Sequence, residues 1–194
     1  MQSEKKSSHR VCPVWIGYTL VSPLRKLMHN PRAILAPYVK PGMTVLDFGS
    51  AMGFFSVPLA QMLGPAGKVI CVDMQEKMLA RLKKRAQNAG VSAQIETHLI
   101  AQDSPGLDQF AGAIDFGLLF YVLHEVPSPE ILFAALAVAL KPNANLLFAE
   151  PKGHVTAEDF ARSISLAKQH GFVEAATPHI NRSYAVLLTR APAN

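Results

Sequence analysis

Two cysteines in 194 residues, Cys12 and Cys71, are too few for a disulfide framework, and Cys71 sits inside an apolar strand pattern. That usage places the chain in a reducing cytoplasm. Long hydrophobic runs are missing as well. The longest, Ile131 to Leu140, is too short to cross a bilayer and is alanine-rich like a packed helix, so no membrane insertion is expected. Lys5, Lys6 and Arg10 ahead of "VCPVWIGYTLV" imitate a signal peptide. Pro13, Trp15 and Gly17 interrupt that segment, however, and no small-x-small cleavage site follows before "SPLRK". There is no G-x-G-x-x-G and no G-x-x-x-x-G-K-[ST], which removes the usual phosphate cradles. His98, His154, His170 and His179 are scattered without H-E-x-x-H or Cys/His ligand spacing, so no structural or catalytic metal is expected. Charged residues make up only 17% of the chain and hydrophobic residues 49%, which describes one globular unit with a full core.

What charge there is leans positive, at +5, with a sequence pI near 9.3. Much of it lies in "EKMLARLKKRAQNAG", where Lys83, Lys84 and Arg85 adjoin. Met78, Leu82 and Ala86 recur at helical spacing, so the basic residues read as the solvated face of a helix. A nucleic-acid footprint would interleave aromatics with the cations, and none does. Nucleic acid is therefore not expected as a partner, although the pI keeps an RNA or protein substrate as a rival.

Strand and helix signals alternate from residue 43 onward. "MTVLDF" reads as a buried strand, and Phe54 to Leu63 as a helix closed by "GPAG". "KVICVD" is a second strand, followed by a helix over Gln75–Ala89 with Gly90 as its stop. "SAQIETHLI", "AIDFGLLFYVL" and "NLLFAE" read as strands three to five. Between the last two, "SPEILFAALAVAL" carries Ser128 as a cap and Pro129 at the first helical position. "TAED" at 156–159 is a capping box opening a helix to His170, with Gly171 as its stop. "FVEAATPHI" and "SYAVLLTR" flank "NR" and predict an antiparallel hairpin at the sheet edge. Ahead of this core, "SP" at 22–23 and "NP" at 30–31 are short helix starts. The expected architecture is an α/β three-layer sandwich. Residues 1–40 are expected to form a helical extension, either a lid over the ligand crevice or a shield for the end of the sheet, and residues 41–194 the main domain.

In such a sheet the ligand crevice lies at the carboxyl ends of the strands, where the strand order reverses. "DFGSAMG" leaves the first strand there. Gly49, Ala51 and Gly53 at alternate positions let a backbone approach a ligand closely. Asp73 ends the second strand 20 residues after Gly53, where a carboxylate can accept both ribose hydroxyls. Asp47 discriminates among ligands. A turn and helix N-terminus aimed at a pyrophosphate would not welcome a carboxylate alongside. A ligand with an ammonium, a sulfonium and a ribose would, and S-adenosylmethionine is such a ligand. A nucleotide-dependent oxidoreductase ranks last for the same reason.

These stretches resemble the class I S-adenosylmethionine-dependent methyltransferases, of the small-molecule type similar to quinone-biosynthesis C-methyltransferases, from about residue 40 to the C-terminus. "VLDFGSAMGFFS" resembles the family's acidic-x-Gly-x-Gly-x-Gly signature, with Ala51 for the middle glycine, and "VICVDMQEKML" its second motif. "IDFGLLFYVLHEV" and "LKPNANLLFAEP" match the family's fourth- and fifth-strand motifs, with Asn143 and Ala144 replacing a glycine pair. The resemblance implies a Rossmann-like, mostly parallel seven-stranded sheet whose terminal hairpin holds a reversed seventh strand. It implies cofactor contacts from Asp47, Gly49, Ser50, Ala51, Gly53, Phe54, Asp73, Met74, Asp103, Phe120 and Tyr121, with Met74 and Asp103 at the adenine.

Methyl transfer from a sulfonium is mainly a matter of placement, and a base is needed only for a protonated acceptor. His124, Glu125 and Tyr121 are the candidates for chemistry, with Glu150 and His154 bordering the crevice. The alternatives are that His124 and Glu125 hold the loop and that Tyr121 packs under the cofactor. Cys12 reads as a small apolar residue rather than a ligand for arsenic(III), because Cys71 is expected to be buried. Trp15, Ile16, Tyr18 and Leu20 are expected to form a greasy lid, which points to a small apolar or aromatic acceptor, and the resemblance implies a contact of Tyr18 with the cofactor carboxylate. A cofactor-binding regulatory module without its own catalysis is the remaining rival.

Overall fold

Along the first strand, β1 (Thr44–Phe48), successive side chains take opposite faces, so Val45 joins one core cluster and Leu46 the other. The same alternation runs through β2 (Lys68–Asp73) and β4 (Ile114–Phe120), where Val69 and Phe116 face one side and Ile70 and Leu119 the other. A sheet that is apolar on both faces has to be covered on both. The computed structural model describes residues 29–101 and 104–192 and shows that cover. Helices α1 (Pro31–Leu35), α2 (Ser56–Leu63) and α3 (Glu76–Asn88) lie on one face. Helices α4 (Pro129–Ala139) and α5 (Ala157–Gln169) lie on the other.

The remaining strands are β3 (Ile95–Leu99), β5 (Leu140–Pro151), β6 (Phe172–Ala176) and β7 (Ser183–Arg190), in the order β3-β2-β1-β4-β5-β7-β6. β1 to β5 pair in parallel, and β7 enters antiparallel between β5 and β6. The strand order turns around between β1 and β4, so their carboxyl ends flank the switch point. Phe133 of α4 is fully buried with Phe148 and Phe172 of the sheet, each worth about 1.5–3 kcal/mol of burial.

Several boundaries differ from the sequence expectation for local reasons. The first motif stays a turn through Phe55, with Gly49 and Gly53 at positive φ, and α2 opens only at Ser56. The third strand loses Ser92–Gln94 to a 3-10 turn. The fourth ends at Phe120 because Tyr121 takes φ +62°, and Leu123–Glu125 form another 3-10 turn. The fifth begins early, at Leu140, because Ile114 pairs with Leu140 and Phe116 with Asn145, leaving "KPNA" as a bulge with Asn143 at φ +63°. Ser128 makes no side-chain cap. Thr156 does cap α5, accepting from Asp159 N at 3.1 Å, and Asn30 caps α1 through Arg32 N and Ala33 N. The hairpin expected at the edge puts only β6 there, since β7 is sandwiched.

Leu35 and Val39 share a core cluster with Val45 and Leu59, so residues 34–39 pack into the main core. The "SP" start at 22–23 lies outside the described residues. On α3, Met78, Leu82 and Ala86 are buried and Lys83 and Lys84 exposed, as the spacing predicted. Among the described residues no helix is long and apolar enough to cross a membrane. None of their His, Cys, Asp and Glu side chains form a group of three or more able to hold a metal ion.

Candidate active site

Parallel strands bring their carboxyl ends to one rim of the sheet, so the loops after β1, β2, β4 and β5 meet there. The turn after β1 folds back on β2, because Gly49 N and Ser50 N both donate to Val72 O, at 2.9 and 3.0 Å. Gly49 has φ +75°, and a Cβ there would come within 2.5 Å of Val122 Cγ2. Its glycine is therefore required by the backbone and by the neighbouring β4 loop, which touch at the switch point. Gly53 is constrained likewise, by φ +77° and by Leu82. Ala51 carries a side chain at φ +45°, where a glycine would be unstrained.

Two carboxylates fix this turn. Asp47, 3% exposed, accepts from Ser56 Oγ at 2.5 Å, tying the end of β1 to the first residue of α2. Asp73 accepts from Ala51 N at 2.9 Å through Oδ2 and from Gln75 N at 2.8 Å through Oδ1. Burial pushes the Asp73 carboxyl above its ordinary value, against the N–H donors of Gln75, Ala51 and Met74 that hold it down. Arg85 of α3 donates to Met52 O and closes the turn from outside. In the middle sits Ser50, 5% exposed, whose hydroxyl has no hydrogen-bond partner among the described residues. A buried hydroxyl without a protein partner is uncommon and is satisfied by an ordered water or a ligand.

Aromatic side chains pave the space behind the turn. Phe54 meets Phe55 edge-on at 5.1 Å, Phe55 meets Phe120 at 4.5 Å, and Phe120 meets Tyr121 at 4.5 Å. Phe54 and Phe120 are buried in the core cluster, while Tyr121 and Met74 are half-buried at the rim. Tyr121 sits in the left-handed region, which costs a bulky residue about 1–3 kcal/mol and persists only where the surroundings over-determine it. Its N–H is held by Ala149 O at 2.8 Å.

The loop after β4 carries His124 and Glu125. His124 Nδ1 donates to Glu150 Oε2 at 2.5 Å. Glu150, 2% exposed at the end of β5, also accepts from Val122 N and Leu123 N through Oε1, at 3.2 and 3.0 Å. Glu125 lies farther off, 3.9 Å from His124 Nε2, and the His154 ring centre is 5.8 Å from that of His124. Burial works against the imidazolium, but the hydrogen bond and charge of Glu150, with the charge of Glu125, outweigh it and raise His124 above its ordinary value of 6.5. Glu150 is the nearer carboxylate to His124, because pairing of β4 with β5 sets the two loops side by side. Asp103 lies outside the described residues, as do Cys12, Trp15, Ile16, Tyr18 and Leu20. Cys71 is buried, and burial together with the charge of Asp47 holds its thiol well above the usual range.

The pattern of a family described as "Methyltransferase domain" matches residues 39–181. The chain belongs to that family. Its domain is similar to the ubiquinone/menaquinone biosynthesis C-methyltransferase UbiE of Escherichia fergusonii, 28% identical over 112 residues, which cover 58% of this chain and 44% of that protein. The match thus spans less than half of the relative's own length. In fold the methyltransferase domain is similar to a SAM-dependent methyltransferase from Aquifex aeolicus, with TM-score 0.82 and 22% identity, covering 93% of this chain and all of that one. It is also similar to the [4+2]-cyclase SpnF, with TM-score 0.72 and 14% identity, covering 88% of this chain and 83% of the other. The fold is that of class I methyltransferases, whose cofactor is S-adenosylmethionine. The donor set fits that cofactor. The turn offers a free buried hydroxyl at Ser50 and carboxylates at Asp47 and Asp73, and residues 49–55 contain no lysine or arginine for a phosphate.

Proposed function

We propose that the domain transfers a methyl group to a small aromatic or apolar acceptor that carries an exchangeable proton, and that His124 takes this proton. The observation that supports this reading is the Glu150–His124 pair at the switch point. When bound, S-adenosylmethionine supplies an electrophilic methyl on a sulfonium. The chain's part is to hold and to orient. Ser50, the backbone of Gly49 to Gly53, Asp73 and Met74 hold the cofactor, and placement of the two reactants is worth up to about 7–11 kcal/mol. Glu150 fixes the Nδ1–H tautomer of His124 and leaves Nε2 as the proton acceptor. A base so placed contributes about 10²–10⁴-fold in rate. Phe54, Phe55 and Phe120 keep water from the floor of the crevice.

The test is transfer of labelled methyl from S-adenosylmethionine to a panel of phenols, quinols and aliphatic acids, with His124→Gln alongside. Transfer to a phenol or quinol that falls at least a hundredfold in the variant supports the proposal. Cofactor binding without transfer to any acceptor would favour a regulatory module, and because SpnF shares this fold the fold alone does not decide.

A further inference from the structure

We propose that His29, on the stretch leading into α1, is a positioning residue for the loop that carries His124, acting through the phenol of Tyr121. This inference rests on the cofactor reading above only for its second readout.

The proton positions follow from what each partner can do. Asn181 O is a carbonyl and only accepts, and His29 Nε2 lies 2.9 Å from it, so that nitrogen carries a proton. Tyr121 Oη lies 3.2 Å from the same nitrogen and therefore accepts from it. The phenol proton then goes to Ser183 Oγ, 2.6 Å away, and Ser183 Oγ donates onward to Asn181 O at 3.1 Å. Among the described residues the single Nε2–H of His29 is thus shared between Asn181 O and the phenol oxygen, and the phenol proton points to Ser183. The phenol is a strut rather than an acid.

What it braces is the strained residue itself. Tyr121 stands at φ +62°, with its N–H on Ala149 O and its ring against Phe120. His29 is buried and meets both rings edge-on, Phe120 at 5.6 Å and Tyr121 at 5.5 Å. The next residue, Val122, is the one that a Cβ on Gly49 would strike, and His124 follows on Glu150. Three chain segments far apart in sequence thus converge on one backbone kink. The kink sets both the wall of the glycine turn and the direction of His124.

The test uses the full-length chain and needs no acceptor. Amide hydrogen exchange at Tyr121, Val122 and Leu123 is measured without ligand for wild type, His29→Ala, His29→Gln, Tyr121→Phe and the Ala/Phe double variant. His29→Ala is expected to speed exchange at these amides at least fivefold. His29→Gln, which keeps an N–H donor toward Asn181 O, is expected to stay within twofold of wild type. In the Tyr121→Phe background, adding His29→Ala is expected to change exchange clearly less than it does in wild type, because the hydrogen bond through the phenol is already gone and only the ring contacts and the bond to Asn181 O are left to lose. Unchanged exchange in His29→Ala, no rescue by glutamine, or full additivity of the two changes would each overturn the proposal. If His29→Ala fails to fold, the Gln and Phe variants decide in the same way. Titration of the same proteins with S-adenosylhomocysteine is the second readout, with affinity expected to fall at least threefold in His29→Ala. A wild type that does not bind it contradicts the cofactor reading, and the exchange data still decide the role of His29.

Discussion

Glu150→Gln keeps the shape of a buried side chain and removes only its charge and one acceptor, which makes it the sharpest probe of the His124 loop. In the wild type, Oε1 takes the N–H groups of Val122 and Leu123 and Oε2 takes Nδ1–H of His124. A glutamine oxygen can keep the two backbone donors, but its NH₂ then faces Nδ1. Two donors cannot share that contact, so the imidazole moves its proton to Nε2 and loses the acceptor that the proposed mechanism needs. Loss of a charge-assisted hydrogen bond costs about 1.5–3 kcal/mol in stability, and loss of the base costs about 10²–10⁴ in kcat. The pH behaviour follows. In the wild type the raised His124 stabilises the fold fully below its ordinary value of 6.5, and that contribution is lost as pH rises through the folded midpoint. Turnover needs the neutral ring, so it rises with pH through the same elevated midpoint. In Glu150→Gln only burial and Glu125 remain, and the midpoint falls. NMR titration of His124, with kcat against pH, reads both effects. A variant with the wild-type midpoint and wild-type turnover would refute the assignment of Glu150 to His124.

Other perturbations reach the cofactor turn. Asp73→Ala is expected to weaken S-adenosylhomocysteine binding by about 1–3 kcal/mol in calorimetry, with some loss of thermal stability because Ala51 N and Gln75 N lose their acceptor; unchanged affinity would count against the ribose contact. Gly49→Ala meets both an unfavourable φ and Val122, so a loss of about 2 kcal/mol or more in chemical denaturation is expected, and Val122→Ala should recover only part of it because the backbone strain stays. Ala51→Gly relieves a side chain at φ +45° and is expected to stabilise the fold by up to about 1 kcal/mol; destabilisation would mean that the Ala51 methyl packs usefully.

The layer order, the helix faces and the first glycine turn were legible because they depend on period and punctuation. Val45 and Leu46 alternate, Met78, Leu82 and Ala86 repeat, and glycines mark the turns. What was hidden depends on which loops become neighbours. His124 and Glu150 are 26 residues apart, and only the pairing of β4 with β5 joins them. His29 lies 92 residues from Tyr121 and 152 from Asn181, distances at which sequence carries no pairing signal. Asp47 was read for its charge toward a ligand, and the chain itself supplies a partner, Ser56, nine residues on. Strand ends were misread where a backbone kink overrides an apolar run, as "FYVL" shows at Tyr121. Conversely, Gly49 was read as leaving room for a ligand, and the structure gives it a second reason in Val122.

The most direct test of the central claim is calorimetric titration of the whole chain with S-adenosylmethionine, S-adenosylhomocysteine and NAD in turn. Binding of the first two in the micromolar range, on the order of −8 kcal/mol, with no heat from NAD, is the predicted result. Binding of NAD alone would show that the carboxylates at Asp47 and Asp73 had been assigned to the wrong ligand, and would contradict the methyl-transfer account at its base.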